Sequence, residues 1–242
     1  MNIFLIHGGW QGGWCWDGVV SQLERQGHRA IAITLPGLSP DAADRTGVGL
    51  AKFVEFATEQ LETRDLRDVV IVAHSGGGPV AQGVVERAAD RIRLVIYMSA
   101  TVLLDGERLL DLGDAAKAAR YAEDAAGSPD HTISMPEEKW ITELCSDMTE
   151  TQARSWLPLV VRCPFDWVQE AANLPAARWR EKPSAYIFLD GEKPSANALY
   201  ARMAGRLTDP FITHCPGSHE AMLSCPADVA QAILRAASSQ AA

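Results

Sequence analysis

Apolar residues recur along the chain in two alternating patterns, one typical of buried strands and one typical of helices that cover a sheet. The clearest strand is residues 69–73, a continuous and mostly β-branched run, as expected for a central strand buried on both faces. The predicted strands are residues 3–6, 30–34, 69–73, 93–99, 185–189 and 210–214, and the predicted helices are residues 16–26, 53–63, 79–89 and 227–237. This alternation predicts an α/β fold with a mostly parallel central sheet flanked by helices. Residues 238–242 are small and polar and are predicted to fray.

The strand pattern disappears between Thr101 and Pro183, where the chain is helix-like and repeatedly interrupted by proline. We expect a helical cap inserted at about residues 104–182 of a single domain spanning residues 1–242, because insertions between sheet strands form lids over sites. Four of the seven tryptophans fall in this stretch. The candidate substrate-binding residues among them are Trp140, Trp156 and Trp167. The alternative is that these tryptophans only pack the insertion onto the rest of the protein.

The charge pattern narrows the classes of partner. The 242-residue chain has a net charge of −9, with its lysines and arginines scattered rather than clustered. Nucleic acid is excluded as a partner, because phosphate contacts need a clustered basic surface. No apolar run of about 18 residues predicts a membrane span, and the apolar N-terminal run is too short for a signal peptide. We therefore expect a cytoplasmic protein that acts on a small molecule, with a homodimer as the candidate assembly.

The cysteines give no sign of a metal site. The chain has five of them, at Cys15, Cys145, Cys163, Cys215 and Cys225, and no Cys-x-x-Cys pair. An odd number without that spacing argues against a disulfide framework and against a zinc site. We expect reduced, partly buried thiols, and we expect neither a metal nor a cofactor.

The strongest chemical signal lies at the end of the predicted strand 69–73. There the chain continues as Ala73-His74-Ser75-Gly76-Gly77 and turns directly into a predicted helix. A serine on such a tight strand-to-helix turn has a strained backbone, and the positions two residues before and after it must be very small. Ala73 and Gly77 meet this requirement, so Ser75 is the candidate nucleophile. The alternative is a serine in a glycine-rich turn without chemistry.

Two backbone amides are candidates for holding an oxyanion beside Ser75. The N–H of Gly76 starts a helix, where free amides and the helix dipole favour negative charge. The second donor should come from the glycine-rich loop after the first strand. In that loop Gly9 is the first choice, and Trp10 lies next to it.

Four histidines lie in or beside the predicted loops and strand ends, and one of them fits the role of general base. His219 follows the last predicted strand and precedes the closing helix, which is where a base for Ser75 is expected. His214 ends that strand and is predicted to be structural. His7 is predicted to hold its loop through a side-chain hydrogen bond. His74 adjoins the serine, but its side chain should leave the turn on another side.

The sequence leaves three candidates for the acid that orients the histidine. The expected pattern after one of the late strands is Gly-x-x-Asp, but here the chain runs Asp190-Gly191-Glu192-Lys193-Pro194, with proline in the place of the aspartate. Glu192 ranks first and Asp190 second, because both are close enough in sequence to serve. Asp105 ranks third; it follows the predicted strand 93–99, which comes after the helix predicted at residues 79–89.

Together these residues resemble the plant methylesterase and hydroxynitrile lyase branch of the α/β-hydrolase superfamily, including its bacterial relatives. The resemblance covers nearly the whole chain and is clearest in residues 7–16, 27–35 and 218–226. It implies the α/β-hydrolase fold, in which a mostly parallel central sheet is flanked by helices and carries an inserted helical cap.

The same resemblance implies roles for individual residues. Ser75 corresponds to the nucleophile, His219 to the base, and Gly9 and Gly76 to the oxyanion donors. The family's aspartate falls on Glu192, a longer acid, when the strand at residues 186–187 is aligned without gaps.

Departures from this branch help to choose between its two chemistries. The cyanogenic lyases that the chain resembles have a lysine after the base and a threonine in the first loop, whereas this chain has Glu220 and Gly8 there. A cation stabilises departing cyanide and a glutamate opposes it, so hydrolysis is favoured over lyase chemistry.

The leading hypothesis is a serine esterase that acts on a small, fairly apolar ester, methyl ester or lactone through an acyl-enzyme on Ser75. The first alternative is non-hydrolytic chemistry on the same scaffold, such as C–C bond cleavage, lyase chemistry, cyclisation or cofactor-free oxygenation, with His219 as acid and base. The second alternative is a ligand-binding protein that has lost catalysis.

Overall fold

Strands and helices alternate along the chain in this computed structural model, which describes residues 1–42 and 44–239. The strands are β1 (Asn2–Ile6), β2 (Arg29–Ile33), β3 (Val69–His74), β4 (Ile92–Met98), β5 (Thr132–Ile133), β6 (Cys163–Pro164), β7 (Ser184–Leu189) and β8 (Phe211–Cys215). The α-helices are α1 (Asp17–Arg25), α2 (Leu50–Thr63), α3 (Gly78–Ala88), α4 (Ala115–Ala126), α5 (Glu137–Lys139), α6 (Glu150–Trp156), α7 (Phe165–Gln169), α8 (Pro194–Ala204), α9 (Ala221–Ser224) and α10 (Pro226–Ser239). Each of the six predicted strands is confirmed.

The helices agree less closely with the sequence. The four predicted helices correspond to α1, α2, α3 and α10, whereas α8 was not predicted. Helix α10 continues to Ser239, so the fraying predicted for residues 238 and 239 is wrong, and residues 240–242 of that prediction lie outside the described residues. Across the described ranges, no helix combines the length and the apolar character that crossing a bilayer requires.

The central sheet has six strands in the order β2-β1-β3-β4-β7-β8, and all neighbouring strands run parallel. Because the strands are parallel, the loops that follow β1, β3, β4, β7 and β8 all leave the same edge of the sheet. In open α/β sheets this carboxyl edge is where ligands bind. The topology therefore brings residues that are far apart in sequence to one edge.

Both faces of the sheet are buried, which explains the continuous apolar run of β3. Val69, Ile71 and Ala73 contribute to the apolar cluster on one face, and Val70 and Val72 contribute to the cluster on the other. Helices α2 and α3 cover the first face, while α1 and α10 cover the second. Since successive side chains point to opposite faces, a doubly covered strand is apolar along nearly its whole length, and in β3 the run is broken only at its last residue, His74.

The segment between β4 and β7, residues 104–182 (the inserted segment), contains α4 to α7 and lies where the sequence predicts a cap. Besides these helices it contains β5 and β6, which pair antiparallel. Part of it has a small apolar cluster of its own, built around Trp140, Cys145 and Ala153.

Candidate active site

Ser75 stands at the sharp turn between β3 and α3. Its φ is 52°, in the left-handed region that residues with a side chain seldom occupy, a strain of about 1–3 kcal/mol. The backbone N–H and the hydroxyl of Thr101 both donate to the Ser75 carbonyl oxygen, at 2.9 Å and 3.2 Å. The strained turn predicted from the sequence is therefore present. Thr101, which no sequence pattern indicated, holds it in place.

The glycines around the turn are required by close contacts. A Cβ atom at Gly77 would lie 2.6 Å from the carbonyl oxygen of His7, so any side chain there would push β1 and the turn apart. A Cβ atom at Gly8 would lie 2.8 Å from the Cβ of Ser75. The first loop and the serine turn therefore pack together at a distance that only glycine permits.

His219 lies in the loop between β8 and α9, with its ring between Ser75 and Glu192. Its Nε2 is 2.9 Å from Ser75 Oγ, and its Nδ1 is 2.8 Å from Glu192 Oε1. The His219 and Glu192 side chains are only 10% and 4% exposed. When Nδ1 carries the proton and donates it to the carboxylate, Nε2 is left to accept the serine hydroxyl. The three residues thus form one continuous chain of hydrogen bonds.

The other two candidate acids lie elsewhere. Asp190 is 2.8 Å from Nδ1 of His214, and both side chains of this pair are more than half exposed. The Asp105 carboxylate accepts a hydrogen bond from the Leu174 N–H at 2.7 Å, which joins the beginning of the inserted segment to a residue near its end. The structure therefore brings Glu192, and neither Asp190 nor Asp105, to His219.

Glu192 reaches His219 because the two loops that carry them are in contact. The N–H of Gly191 donates to the carbonyl oxygen of Gly217 at 2.8 Å, and a Cβ atom at Gly191 would lie 2.7 Å from that same oxygen. Pro194, which occupies the aspartate position of the expected Gly-x-x-Asp pattern, is the first residue of α8. Proline suits this position because its missing N–H would have no partner in the first helical turn.

The inserted segment holds the loop that carries His219. The Ser218 hydroxyl lies 2.7 Å from the carbonyl oxygen of Leu144, which also accepts the Glu220 N–H at 3.0 Å. The Asp147 carboxylate hydrogen-bonds the Ser218 hydroxyl and accepts the Ser224 hydroxyl at 2.6 Å. The residues on both sides of the base are therefore fixed to the inserted segment.

The charges around His219 favour its protonated form. Burial by itself lowers the pKa of His219, but the charge and hydrogen bond of Glu192, with a smaller contribution from Glu220, raise it above its ordinary value. Burial also raises the pKa of the Glu220 carboxyl to about 7, although His219 and a hydrogen bond from Gln11 oppose this rise. A base in this setting gains electrostatic support at the moment it accepts a proton.

The two other buried histidines are neutral. His7 Nδ1 lies 2.7 Å from the Gly8 carbonyl oxygen, and its Nε2 accepts the Leu35 N–H at 3.0 Å, so His7 does hold the first loop. Burial lowers the pKa of His7 to about 4 and that of His74 well below its ordinary range. The His74 ring centroid is 4.6 Å from that of His219, yet neither of its nitrogens has a hydrogen-bond partner within the described residues.

Two cavities meet at Ser75. The first, of about 140 Å³, has mostly apolar walls that include Leu109 and Trp167, together with Gly9 and Gly76. The second, of about 210 Å³, lies on the side of the base and has a polar and charged lining. The residues shared by both cavities are Trp10, Ser75, Lys117, Tyr121 and Tyr200. A separate cavity of about 260 Å³ beside α2 and α3 contains no serine or histidine.

The tryptophans predicted to bind substrate have different environments. Trp167 is buried and forms part of the apolar cavity wall beside Gly76. Trp140 and Trp156 line neither cavity at Ser75, and the prediction for them is corrected accordingly. Trp140 packs inside the inserted segment and donates its indole N–H to Ala153, while Trp156 stacks on Trp14 with ring centroids 5.7 Å apart. Their role is packing.

Trp10, Gly9 and Gly76 all line the apolar cavity beside Ser75. The indole of Trp10 donates to the Ile133 carbonyl oxygen at 3.1 Å, which joins the first loop to the inserted segment. Trp10 therefore contributes a cavity wall. The assignment of oxyanion donors to Gly9, Gly76 and Trp10 stays a prediction.

Three further cavity residues escaped prediction. The Tyr200 ring lies almost parallel to that of His219, with centroids 6.0 Å apart, on the helix α8 that the apolar pattern did not reveal. Lys117 and Tyr121 lie on α4, and Lys117 Nζ is 5.5 Å from the Tyr121 ring centroid. Their spacing of four residues places them on one helix face, which is the only signal in the sequence that links them.

Comparison with known proteins agrees with this geometry. Residues 3–232 match the profile of a family described as "Alpha/beta hydrolase family". The chain is 28% identical over 243 residues to a carbendazim hydrolyzing esterase of Nocardioides sp. (strain SG-4G), covering 95% of this chain and 97% of that protein. It is also 30% identical to the putative chloroplastic methylesterase 11 of Arabidopsis thaliana, but over 46% of this chain and only 29% of that protein.

Solved structures share the fold across the whole chain. An extracellular alpha/beta-hydrolase from a Paenibacillus species superposes with a TM-score of 0.91 at 20% identity, covering 98% of each chain. A methylesterase from Arabidopsis superposes with a TM-score of 0.78 at 20% identity, covering 98% of this chain and 99% of the other. The fold expected from the sequence resemblance is thereby confirmed, and the chain belongs to the alpha/beta hydrolase family.

Proposed function

We propose that this protein is a serine carboxylesterase that hydrolyses a small ester with an apolar acyl group, such as a methyl ester or lactone, through an acyl-enzyme on Ser75. The observation that carries the proposal is the unbroken hydrogen-bonded chain from Ser75 through His219 to Glu192, with atom separations of 2.9 Å and 2.8 Å. A serine hydroxyl is a weak nucleophile unless an adjacent base is oriented by a third group.

In the first half of the reaction, Ser75 Oγ attacks the ester carbonyl carbon while His219 Nε2 takes the hydroxyl proton. Glu192 stabilises the imidazolium that forms and keeps the proton of Nδ1 in place. The carbonyl oxygen, now negatively charged, is held by the N–H groups of Gly9 and Gly76, which flank Ser75 in the apolar cavity. The acyl group then occupies that cavity.

The tetrahedral intermediate then collapses. Its bond to the alcohol oxygen breaks, the imidazolium of His219 gives its proton to that leaving alcohol on the base side of Ser75, and the acyl-enzyme remains. The second half of the reaction begins once the alcohol has left. Water enters from the same side, His219 removes its proton, and attack on the acyl carbon releases the acid. Ser75 recovers its proton from His219. Each proton therefore passes through Nε2 only.

Hydrolysis is favoured over the other reactions on this scaffold. The relatives with matching sequences are named as esterases and methylesterases. Threonine at position 8 would clash, because even a Cβ atom there lies 2.8 Å from that of Ser75. Glu220, directly after the base, supplies an acidic group where the lyases have a cation. A non-hydrolytic reaction and a non-catalytic role are therefore not favoured.

The apolar cavity limits the size of the acyl group. Its volume of about 140 Å³ is close to that of an engineered apolar cavity of about 150 Å³ that binds benzene. An acyl group up to about the size of a phenyl ring is therefore the proposed limit. The inserted segment acts in this proposal as a cap, since Leu109 and Trp167 belong to it and form part of the wall.

The cellular setting forms part of the same proposal. All five cysteines are free thiols, four of them buried, which suits a reducing compartment such as the cytoplasm. A homodimer stays a prediction, to be tested by sedimentation equilibrium.

Replacement of Ser75 by alanine tests the proposal. We expect the parent protein to hydrolyse p-nitrophenyl acetate and to be labelled by a fluorophosphonate, and the Ser75→Ala variant to lose both properties. The matched control is Ser155→Ala on the surface of α6, for which we expect parent rates. Hydrolysis by the Ser75→Ala variant at the parent rate would overturn the proposal.

A further inference from the structure

We propose that the substrate carries a carboxylate in its alcohol portion, bound by Lys117 and Lys139 at the rim of the cavity on the base side. This inference rests on the proposed esterase function and narrows it: the alcohol portion must be large enough to carry a carboxylate, so a simple methyl ester, whose alcohol portion is methanol, is not the preferred substrate. The acyl portion stays apolar, as the other cavity demands.

The cavity on the base side has an excess of positive charge. Its cationic residues are Lys117, Lys139 and Lys193, and its acidic residues are Glu143 and Glu192. Both acids are already engaged by neighbours. Glu192 is bound to His219, and Glu143 lies 3.2 Å from Lys193 Nζ. The two remaining lysines have no carboxylate within ion-pair distance in the part of the chain that the structure describes.

Lys117 and Lys139 are also incompletely solvated. Both side chains are half-buried, on α4 and α5 of the inserted segment. Burial lowers the pKa of the Lys117 ammonium, and repulsion from Lys139 lowers it further. The charge of Lys139 is also felt at His219, where it opposes the rise in pKa that Glu192 causes. Asp114 partly offsets the repulsion between the two lysines but forms no ion pair with Lys117 among the described residues. Two like charges that line one cavity without a directly paired carboxylate favour the binding of an anion between them.

The rest of the protein makes this arrangement unusual. The chain has a net charge of −9, so acidic residues outnumber basic ones overall. Two lysines without ion-pair partners in a cavity that Ser75 also lines therefore depart from the average charge of the protein. A cleft lined by one sign of charge attracts ligands of the opposite sign and raises their local concentration. The inserted segment thus contributes apolar wall on one side of Ser75 and positive charge on the other.

The position of the lysines assigns the anion to the alcohol portion. His219 returns its proton to the leaving oxygen, so the alcohol must lie in the cavity that His219 lines. Lys139 lines the same cavity and does not line the apolar one. Lys117 lines both cavities and therefore belongs to the wall that they share. A carboxylate on the alcohol reaches both ammonium groups without entering the apolar cavity.

The test compares charged and neutral esters of equal shape. The substrates are 3- and 4-acetoxybenzoate, and the matched neutral esters are 3- and 4-acetoxybenzamide. We expect the parent to prefer a benzoate in kcat/KM, and the ratio of benzoate to benzamide to fall by about 10- to 100-fold in Lys117→Met and Lys139→Met, because contacts to charged groups have that value. The preference should also weaken with added salt. Lys52→Met, on the exposed face of α2, is the matched control and should keep the parent ratio.

Inhibition of the unmodified protein provides a readout that needs no variant. We expect 4-hydroxybenzoate to inhibit benzamide ester hydrolysis competitively at a concentration about 10-fold or more below that of 4-hydroxybenzamide. Equal substrate ratios in the parent and both lysine variants, with equal inhibition by the two phenols, would overturn the inference while leaving the esterase function intact. Failure of all four esters to react, together with absence of fluorophosphonate labelling, would overturn the proposed function itself and this inference with it.

Discussion

Replacement of Glu192 by glutamine is the most direct test of the acid in this site. The substitution keeps the shape of the side chain and removes its charge, 2.8 Å from Nδ1 of His219. The amide can also present its NH₂ group to the ring and so favour the wrong tautomer of the base. We expect correct folding and a large loss of kcat.

The size of this loss follows from the geometry. Two unit charges 2.8 Å apart attract by about 6 kcal/mol at an effective dielectric constant of about 20. Both charges are spread over several atoms, which reduces the attraction to about 4–5.5 kcal/mol. Since about 1.4 kcal/mol corresponds to a factor of ten, kcat should fall about 10³- to 10⁴-fold. The same type of carboxylate-to-amide change in a serine protease lowers kcat by about 10⁴.

The pH profile gives a second, independent readout. Only the neutral form of His219 accepts the serine proton, so kcat/KM rises with pH through the pKa of His219. Burial lowers that pKa and Glu192 raises it above its ordinary value. In the Glu192→Gln variant His219 is still buried, but the negative charge that raises its pKa is absent. We therefore expect the acid limb of the profile to move to lower pH.

The matched control is Asp190→Asn, which removes the charge from an equally short carboxylate–histidine pair on the surface. We expect it to keep kcat within about 2-fold of the parent, since exposed pairs contribute little. The assay is hydrolysis of p-nitrophenyl acetate between pH 5 and pH 9. A Glu192→Gln variant with kcat within about 10-fold of the parent and an unmoved acid limb would refute the assignment of the acid.

Three further predictions concern the surroundings of the site. Gly8→Ala places a Cβ 2.8 Å from that of Ser75 and should lower kcat by about 10²-fold at unchanged circular dichroism, and an unaffected rate would contradict this. Trp167→Ala should shift the preference in kcat/KM towards esters with longer acyl chains, because it enlarges the apolar cavity. It should also lower the unfolding free energy in urea titrations by about 3–5 kcal/mol. An unchanged dependence of kcat/KM on acyl chain length would show that Trp167 does not bound the acyl group. The pKa of Glu220 is about 7 in the folded protein against an ordinary 4.5, so its stabilising contribution is complete below pH 4.5 and is lost as pH rises through 7. Relative to the parent, Glu220→Gln should therefore gain up to about 3 kcal/mol more unfolding free energy at pH 8 than at pH 4, and an equal difference at both pH values would refute the shift.

The serine turn could be predicted from the sequence because its determinants are local. A buried strand, two small residues and a helix start lie within about a dozen positions, and each is required by the turn itself. His219 could be predicted for a related reason, since the base follows the last strand of the sheet. Local sequence sufficed in both cases.

The acid and the cavity walls depend on contacts between distant segments. The choice among Glu192, Asp190 and Asp105 depends on the contact of Gly191 with Gly217, which no pattern in either loop specifies. Helix α8 begins at Pro194, where the sequence comparison registers only a missing aspartate. Ranking by proximity in sequence put first the residue that lies beside His219, without supplying the reason.

The tryptophans also show that roles set by contacts between distant segments cannot be predicted from the sequence. Trp140, Trp156 and Trp167 are equivalent by composition, but one faces the reactive serine and two pack within or beneath the inserted segment. Which role a large aromatic residue takes depends on how the insertion lies on the sheet. That arrangement involves contacts over more than 100 positions, such as Trp10 with Ile133.

The attachment of the base loop to Leu144 restricts how substrate reaches Ser75. The Leu144 carbonyl oxygen receives both the Ser218 hydroxyl and the Glu220 N–H, the neighbours of His219 on either side. A lid that opened by lifting this part of the inserted segment would withdraw the base from the serine in the same motion. The open state would then be inactive. An acyl-enzyme formed in the closed state would be exposed to bulk solvent only after His219 had moved away from Ser75. With such coupling, the acyl-enzyme would be hydrolysed only in the closed state, where His219 is positioned to activate water.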